Sequence, residues 1–410
     1  MNRKIMQYAP FLSAAFLDYL NIVVSLVVFP VLLADSHYKL LSEQTTQAYG
    51  TLFVGFVLTA YYAGQFFMSP LWGQISDSYG RRFTMIITLT GATVSLFLTA
   101  LAIHYASVWL LFASRFCAGL FAANVAIAQS FMADVSDDTN ADKVSNMSMV
   151  EIAVACGFIG GGLLGGQYTN ALLGVAHDLA IPFLILGGLT VLNLLFVAYQ
   201  LFRDRSKKTV KRKKFFITFG HLGQMFHYPQ LRSIFAAASL FIFGWTFSTQ
   251  FFSTYLLKVF NYGASQIGTM FVYAGVMYLL LQLLLVRPLS RIAAPRTIVL
   301  SALPLLAFLS LAVFMPPTTI GLYIFIVLYI GCIASILPNM MAIISNSVDD
   351  DKQGKGIAMI WAMQALVTVL GTFFGGFLAM FNPALPVGVA GFMIFSSWLL
   401  YLSAAKKKRR

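Results

Sequence analysis

Three ionisable side chains stand well inside long apolar runs of the sequence: Asp18, Arg115 and Glu151. Bringing a charge to the centre of a bilayer costs ~2.5 to 3.5 kcal/mol even on the gentlest scale, so each is expected to face a polar cavity or a partner. A carboxylate in such a place is suited to taking up and releasing protons. The alternative is an acid that stays ionised and only bonds helices together. Asp18, Asn21 and Ser25 recur at i, i+3 and i+7 and draw one polar stripe along an otherwise apolar helix, which is expected to face the cavity. Counting at ~1.5 Å per residue places Asp18 and Glu151 both ~12 to 15 Å from one membrane face, so a single layer can hold both acids. Asn124 and Gln129 fall near that layer. Arg115 falls farther out, so it is expected to brace the first helix through backbone oxygens with its fork of donors, not to pair with either acid.

The elements that must position these groups follow from composition. The chain has 410 residues, 59% hydrophobic and 10% charged, with 38 Phe and a mean hydropathy of +0.81. Soluble domains carry about 25% charge. Apolar runs fall at about 8–33, 51–72, 83–104, 107–133, 146–168 and 180–202, and again at about 233–257, 267–289, 296–315, 320–345, 356–380 and 385–405. The predicted fold is an all-α membrane protein with twelve transmembrane helices. Soluble enzymes, collagenous or disordered chains and membrane β-barrels are excluded, the last because its strands would alternate over short segments. Cys117, Cys156 and Cys332 lie in apolar runs, which implies no disulfide framework. The first run extends to about Leu33 without a small-residue cleavage site, unlike a signal peptide.

Between the two sets of six runs lies RDRSKKTVKRKKFF, from Arg203 to Phe216, too basic to enter a bilayer. The domains are therefore read as an N-terminal bundle at 1–202, a basic cytoplasmic linker at 203–232 and a C-terminal bundle at 233–410 with a basic tail. The formal charge of +13 reports orientation, not nucleic acid, because Lys and Arg near span ends are retained on the cytoplasmic side. With the N-terminus inside, almost all basic residues fall on that side, and both termini are expected to be cytoplasmic. Internal repetition supports the two halves: an acidic cluster and a Lys follow spans four and ten, and GFIGGGLLGG at Gly157 answers GTFFGGF at Gly371. Two pseudo-symmetric six-helix bundles are the duplication pattern of many secondary transporters.

The loop after span two reads GQISDSYGRRF, with Gly73, Asp77, Gly80, Arg81 and Arg82. Two glycines permit a tight turn, and an acid with two arginines can pair with neighbouring helix ends. This loop resembles motif A of the major facilitator superfamily, roughly G-x-x-x-D-x-x-G-R-R/K. RFCAGLFAAN, with Arg115 and Gly119, resembles motif B. GFIGGGLLGG resembles the antiporter motif C, with Gly162 where that motif has proline, and Gly157, Gly161, Gly165 and Gly166 around it. LDYLNIVVSLVVFP spaces Asp18 and Pro30 as in the tetracycline-efflux-like drug and proton antiporters. The matches cover about 1–170.

The resemblance implies a twelve-span major facilitator of the drug and proton antiporter type. It implies that Asp77 and Arg81 join Asp134 and the facing second bundle in a cytoplasmic gate latch, an ordinary loop-stabilising network being the alternative. Proton coupling is assigned to Asp18 and Glu151. The second bundle has no Asp or Glu inside its spans, although some tetracycline exporters carry one there, which argues against a metal-chelated tetracycline as natural substrate. It offers Trp245, Gln250, Tyr273, Met277, Asn339, Trp361 and Gln364 amid many Phe, and these, with Asn21, Ser25, Asn124 and Gln129, are the candidate contacts for an apolar or amphipathic small molecule. The expected function is proton-coupled export by alternating access, acting as a monomer in a bacterial-type inner membrane, with protons and lipid as the other partners and without cofactor or metal. The rivals are a proton-coupled importer of a nutrient or metabolite and, from other classes, a membrane-embedded enzyme or a non-transporting receptor. The five His do not pair at ligand spacing within spans, which counts against the enzyme.

Overall fold

The structure is a computed structural model and describes residues 3–35, 40–135, 140–167, 178–203, 232–312, 318–345 and 353–407. Nearly all of the basic linker, and the acidic group at 349–351, lie outside the described residues. The elements are α1 (Arg3–Ala34), α2 (Glu43–Tyr79), α3 (Arg81–His104), α4 (Val108–Leu120), α5 (Asn124–Asp134), α6 (Asn140–Gln167) and α7 (Ile181–Arg203). They continue with α8 (Arg232–Val259), α9 (Ala264–Leu281), α10 (Arg287–Ile292), α11 (Pro295–Leu311), α12 (Thr319–Ser345), α13 (Gln353–Phe381) and α14 (Leu385–Lys407). A π-helical turn, Gln282–Val286, joins α9 to α10. Among the described residues eleven helical stretches are long and apolar enough to cross a membrane, and a shorter apolar helix, Pro295–Leu311, supplies the twelfth span. Helices are the form such runs must take, since hydrocarbon offers no partner to an unpaired backbone group.

The chain folds as two compact units. One comprises Met1–Gly50, Ala60–Ile217 and Tyr262–Gly275; the other comprises Thr51–Thr59, Thr218–Asn261 and Val276–Arg410. Each unit thus takes in one short piece from the other half of the sequence, and glycine explains how. In the first unit a Cβ at Gly268 of α9 would collide with Gly162 and Gly166 of α6, so the two backbones touch directly. In the second, Gly55 of α2 meets Gly376 of α13 in the same way, and Thr59 of α2 donates to Thr372 Oγ1 of α13 at 3.0 Å. Close approach of this kind is what small residues at membrane helix interfaces permit.

The glycines of α6 serve two seams at once. Gly157, Gly161 and Gly165, four residues apart, lie against Phe16, Leu20, Val23 and Val27 of α1, while Gly162 and Gly166, one position around, face α9. In the second unit the core gathers Phe241 and Phe247 of α8, Leu303 and Leu306 of α11, Ile336 of α12 and Ile394 of α14. Ser397 Oγ donates to Ala237 O at 2.7 Å and Trp398 Nε1 to Leu300 O at 3.1 Å, pinning α14 to α8 and α11.

Span four departs from the sequence reading. The single run expected at 107–133 is two helices, α4 and α5, separated by Phe121, Ala122 and Ala123. The break tightens the chain: Phe121 N–H bonds Ala118 O, and Ala122 N–H bonds Gly119 O, each three residues back instead of four. The backbone groups this releases are taken up by other helices. Trp72 Nε1 of α2 donates to Leu120 O at 2.6 Å, and Gln65 Nε2 of α2 donates to Ala122 O at 3.2 Å. Asp18 of α1 accepts from the amides of Asn124 and Val125. Phe121 lies over Gly91 of α3, where any side chain would overlap its ring. A break in a membrane helix is tolerated where neighbours re-satisfy the freed groups, and here α1, α2 and α3 all contribute.

Candidate functional site

The site is built around the break in span four, within the first unit. Asp18 is half-buried on α1 and accepts a hydrogen bond from Asn124 Nδ2 at 2.8 Å, in addition to the two amides at the start of α5. Ala123, at the N-cap position of α5, has no side chain able to cap the helix. The carboxylate from α1 does that work instead, and a negative charge at a helix N-terminus is favoured by the backbone dipoles. Asn124 is fully buried, and its own Oδ1 accepts from Thr88 Oγ1 of α3 at 2.6 Å. Asn124, read from sequence as a substrate contact, is thus engaged on both sides by protein.

Glu151 sits in a different setting. It is exposed on α6 and accepts from Gln129 Nε2 of α5 at 3.2 Å. Asp18 and Glu151 are therefore attached to α5 five residues apart, about 7.5 Å along its axis. The two acids share α5 but not a hydrogen bond.

Arg115, on α4, is 2% exposed. Its Nη1 donates to Ser25 Oγ at 2.9 Å and, at the limit of 3.5 Å, to Asn21 Oδ1; its Nη2 donates to Thr99 Oγ1 of α3 at 2.9 Å. Its guanidinium carbon lies 5.3 Å from the Phe29 ring centre and 5.7 Å from that of Phe183. It braces span one, as expected, but through side-chain oxygens instead of backbone ones. The stripe of Asp18, Asn21 and Ser25 accordingly turns toward span four. Among the described residues no carboxylate pairs with Arg115, in keeping with its placement away from both acids.

At the far end of α5 lies the ion triad of the motif A segment. Arg81 Nε donates to Asp134 Oδ2 at 2.9 Å, and Arg81 Nη1 donates to Asp77 Oδ1 at 2.5 Å and to Ser76 Oγ at 2.9 Å. The side chain of Arg81 is 18% exposed, against 69% for Asp77 and 48% for Asp134. All four residues belong to the first unit. Arg82 is half-buried beside them.

The two glycines of this segment are not alike. Helix α2 continues to Tyr79, so Gly73 and Asp77 are helical, and only Gly80 turns the chain, at φ 98° and ψ 153°. A Cβ would meet nothing within 4 Å at either glycine. Gly80→Ala should then cost about 1–3 kcal/mol from backbone strain alone. Gly73→Ala should be neutral or stabilising by about 0.5–1 kcal/mol, since it replaces a glycine inside a helix. Thermal unfolding of the two proteins in one detergent checks the order; equal midpoints would mean that the turn at Gly80 is not obligatory. Gly119 of motif B faces the carbonyl of Tyr61 on α2 too closely for any side chain.

The candidates from the second half fall on α8, α9, α12 and α13. Gln250 and Asn339 are buried, Asn339 Nδ2 donating to Ser335 O at 2.8 Å; Trp245 packs against the core of the second unit; Tyr273, Met277 and Gln364 are half-buried. The Trp361 side chain lies outside the described residues. Residues that the sequence reading missed are Thr88 and Thr99 of α3 and Gln65, Trp72 and Tyr61 of α2. Tyr61 is buried within electrostatic reach of both Asp18 and Arg115. No periodicity or spacing sets these five apart from the many other Thr, Gln, Trp and Tyr of the spans.

The sequence matches the family model of the Major Facilitator Superfamily over residues 11–372 and again over 255–410. The chain belongs to that superfamily. It is 27% identical over 366 residues to the class C tetracycline resistance protein of Escherichia coli, covering 88% of this chain and 86% of that one. The fold is similar to that of the human organic anion transporter MFSD10, with a TM-score of 0.70 at 18% identity, covering 98% of this chain and 100% of the other. It is likewise similar to a D-xylose-proton symporter, with a TM-score of 0.71 at 15% identity, covering 97% and 96%. The protein is thus a multi-pass membrane protein and a secondary transporter, not an enzyme, with twelve helices in the superfamily fold.

Proposed function

We propose that this transporter exports a small, apolar or amphipathic organic molecule by alternating access, driven by proton entry. The observation that carries the reading is the setting of Asp18: a half-buried carboxylate bonded by Asn124 and two helix amides, with no cation pairing it among the described residues. A structural ion pair would need its charge at all times, whereas an acid held only by neutral donors can lose its charge without leaving a buried cation unpaired. Resemblance to a tetracycline resistance protein over most of both chains supports export. The absence of Asp and Glu from the second-half spans supports a ligand other than a metal chelate. Asp18 carries the proton in this reading, Glu151 modulates it, and the Asp77, Arg81 and Asp134 triad is the cytoplasmic latch. In this reading the chain acts as a monomer in a bacterial-type inner membrane with both termini cytoplasmic, and the distribution of Lys and Arg near span ends supports that orientation.

The test is flux in proteoliposomes loaded with a panel of amphipathic dyes, with and without an imposed pH gradient. Dye should move uphill against the direction of proton flow. Uphill movement in the same direction as protons would make the protein an importer of the symport kind, and flux indifferent to the gradient would remove proton coupling.

A further inference from the structure

Within the coupling reading above, on which this inference rests, the geometry points to α5 as the element that carries the charge state of Asp18 to the latch, with Asn124 and Thr88 as the residues that position Asp18 for it. Helix α5 has eleven residues and is about 16 Å long. Its first turn is held by Asp18, its middle by Glu151 through Gln129, and its last residue, Asp134, by Arg81. Phe131, between those points, stacks on Phe11 of α1 with ring centres 3.7 Å apart.

Because span four is broken at Phe121–Ala123, α5 is a separate rod whose orientation is not imposed by α4. Its seat is set by the buried face of Ile127, Ala128, Phe131 and Met132 and by what its ends bind. At the N-terminal end, Asp18 replaces the missing N-cap, and a cap of this kind is strongest when the accepting group is charged. Neutralising Asp18 weakens that attachment while leaving the carbonyl side of the break fixed to α2 through Trp72 and Gln65. The rod then tilts more readily about the break, pivoting on its packed middle at Phe131, and Asp134 moves relative to Arg81. Trp72 belongs to the helix that also bears Asp77, so α2 supplies both the fixed end of the hinge and part of the latch.

Asn124 is the positioning residue. It donates to the carboxylate while the single hydroxyl proton of Thr88 goes to its amide oxygen at 2.6 Å, the shortest of the bonds open to that hydroxyl. Of the titratable groups on the elements around Asp18, Tyr61 of α2 lies within its electrostatic reach; α1 and α2 also carry Tyr19 and Tyr62, α4 carries Arg115 and Cys117, α5 carries Asp134, α6 carries Glu151 and Cys156, and α7 carries Tyr199. Arg115 is committed to Ser25 and Thr99, and Glu151 to Gln129, so neither displaces Asn124 from the carboxylate.

The experiment is a pair of spin labels at Tyr79→Cys on α2 and Val135→Cys after α5, in the full chain with the three native cysteines replaced, reconstituted in lipid and measured from pH 8 to pH 5. The distance distribution should shift as pH falls. In Asp18→Asn, which keeps a capping oxygen but cannot change charge, the shift should disappear. In Asn124→Ala a carboxylate stripped of a donor is neutralised more readily, so the midpoint should move to higher pH by about one unit, a tenfold change in proton concentration. Thr88→Val should move it the same way by less, and covers the case in which Asn124→Ala does not fold. A pH-dependent shift that survives Asp18→Asn, a distance indifferent to pH in the parent, or midpoints unmoved by both positioning variants would overturn the inference. Flux separates this from the coupling reading: gradient-driven flux with a pH-indifferent distance removes the lever alone. A shifting distance with gradient-indifferent flux removes proton coupling and leaves the lever standing.

Discussion

The Asp18→Asn protein should fold, bind its ligand and pass it downhill, yet fail to accumulate it against a gradient. Asparagine is among the better N-cap residues, so its side-chain oxygen can still accept from the amides of Asn124 and Val125, and the break in span four should persist. What is lost is the ability to alternate between charged and neutral forms. A proton can be tied to substrate only if binding of one alters the affinity for the other, and a side chain that cannot titrate contributes no such difference. Uphill flux in proteoliposomes should therefore fall to background while exchange at equal pH persists. Asp18→Ala should add a loss of stability of about 1 kcal/mol, the usual cost of removing a helix cap. Glu151→Gln should be milder, because Glu151 is exposed and, among the described residues, bonds Gln129 alone. Full gradient-driven accumulation by Asp18→Asn would move the coupling role to Glu151 or away from protons.

The spans, their order and the residues of the motif A triad were legible in the sequence because each depends on local composition. Twenty apolar residues must be helical in a bilayer whatever surrounds them, and an acid or arginine within them must find a partner. The break in span four was not legible. Leu120 to Ala123 contain neither glycine nor proline, and Gly119 just before them reads no differently from the many other glycines inside unbroken spans. The cause is tertiary: three helices supply the groups that the interruption needs, and the cap comes from a residue 106 positions earlier. For the same reason Asn124 and Ser25 looked like free polar groups along their own helices, when the structure engages them with Thr88 and Arg115. Gly73 and Gly80 show the converse. Spacing treats them as equivalent turn residues, but only the backbone angles reveal that one is an ordinary helical glycine.

Arg115 gives an inversion of the usual ranking of substitutions: Arg115→Met should be better tolerated by the fold than Arg115→Lys. The guanidinium is buried and, among the described residues, has no carboxylate partner, so its desolvation, several kcal/mol for an ion in a protein interior, is offset by two hydroxyls, the long contact to Asn21 Oδ1 and two rings. Its two short hydrogen bonds are worth about 1.5–3 kcal/mol each, and the faces of Phe29 and Phe183 add about 0.5–2 kcal/mol. These terms roughly balance. Removing the charge leaves no orphan behind, since Ser25 Oγ retains Asn21 O at 2.8 Å and Thr99 Oγ1 retains Ser95 O at 2.8 Å. Methionine also fills much of the vacated space with a flexible apolar chain. Lysine keeps the desolvation cost but lacks the planar fork that reaches Ser25 and Thr99 from opposite ends. One charge-assisted bond should be lost, a penalty of about 1.5–3 kcal/mol. Unfolding midpoints in detergent should therefore order as parent close to Met, with Lys clearly below both. Transport should respond differently. If the charge of Arg115 biases the field at Asp18, the Met protein will be stable and yet altered in the pH dependence of flux. A Lys protein as stable as the parent would mean that the guanidinium geometry around Ser25 and Thr99 does not stabilise the buried charge.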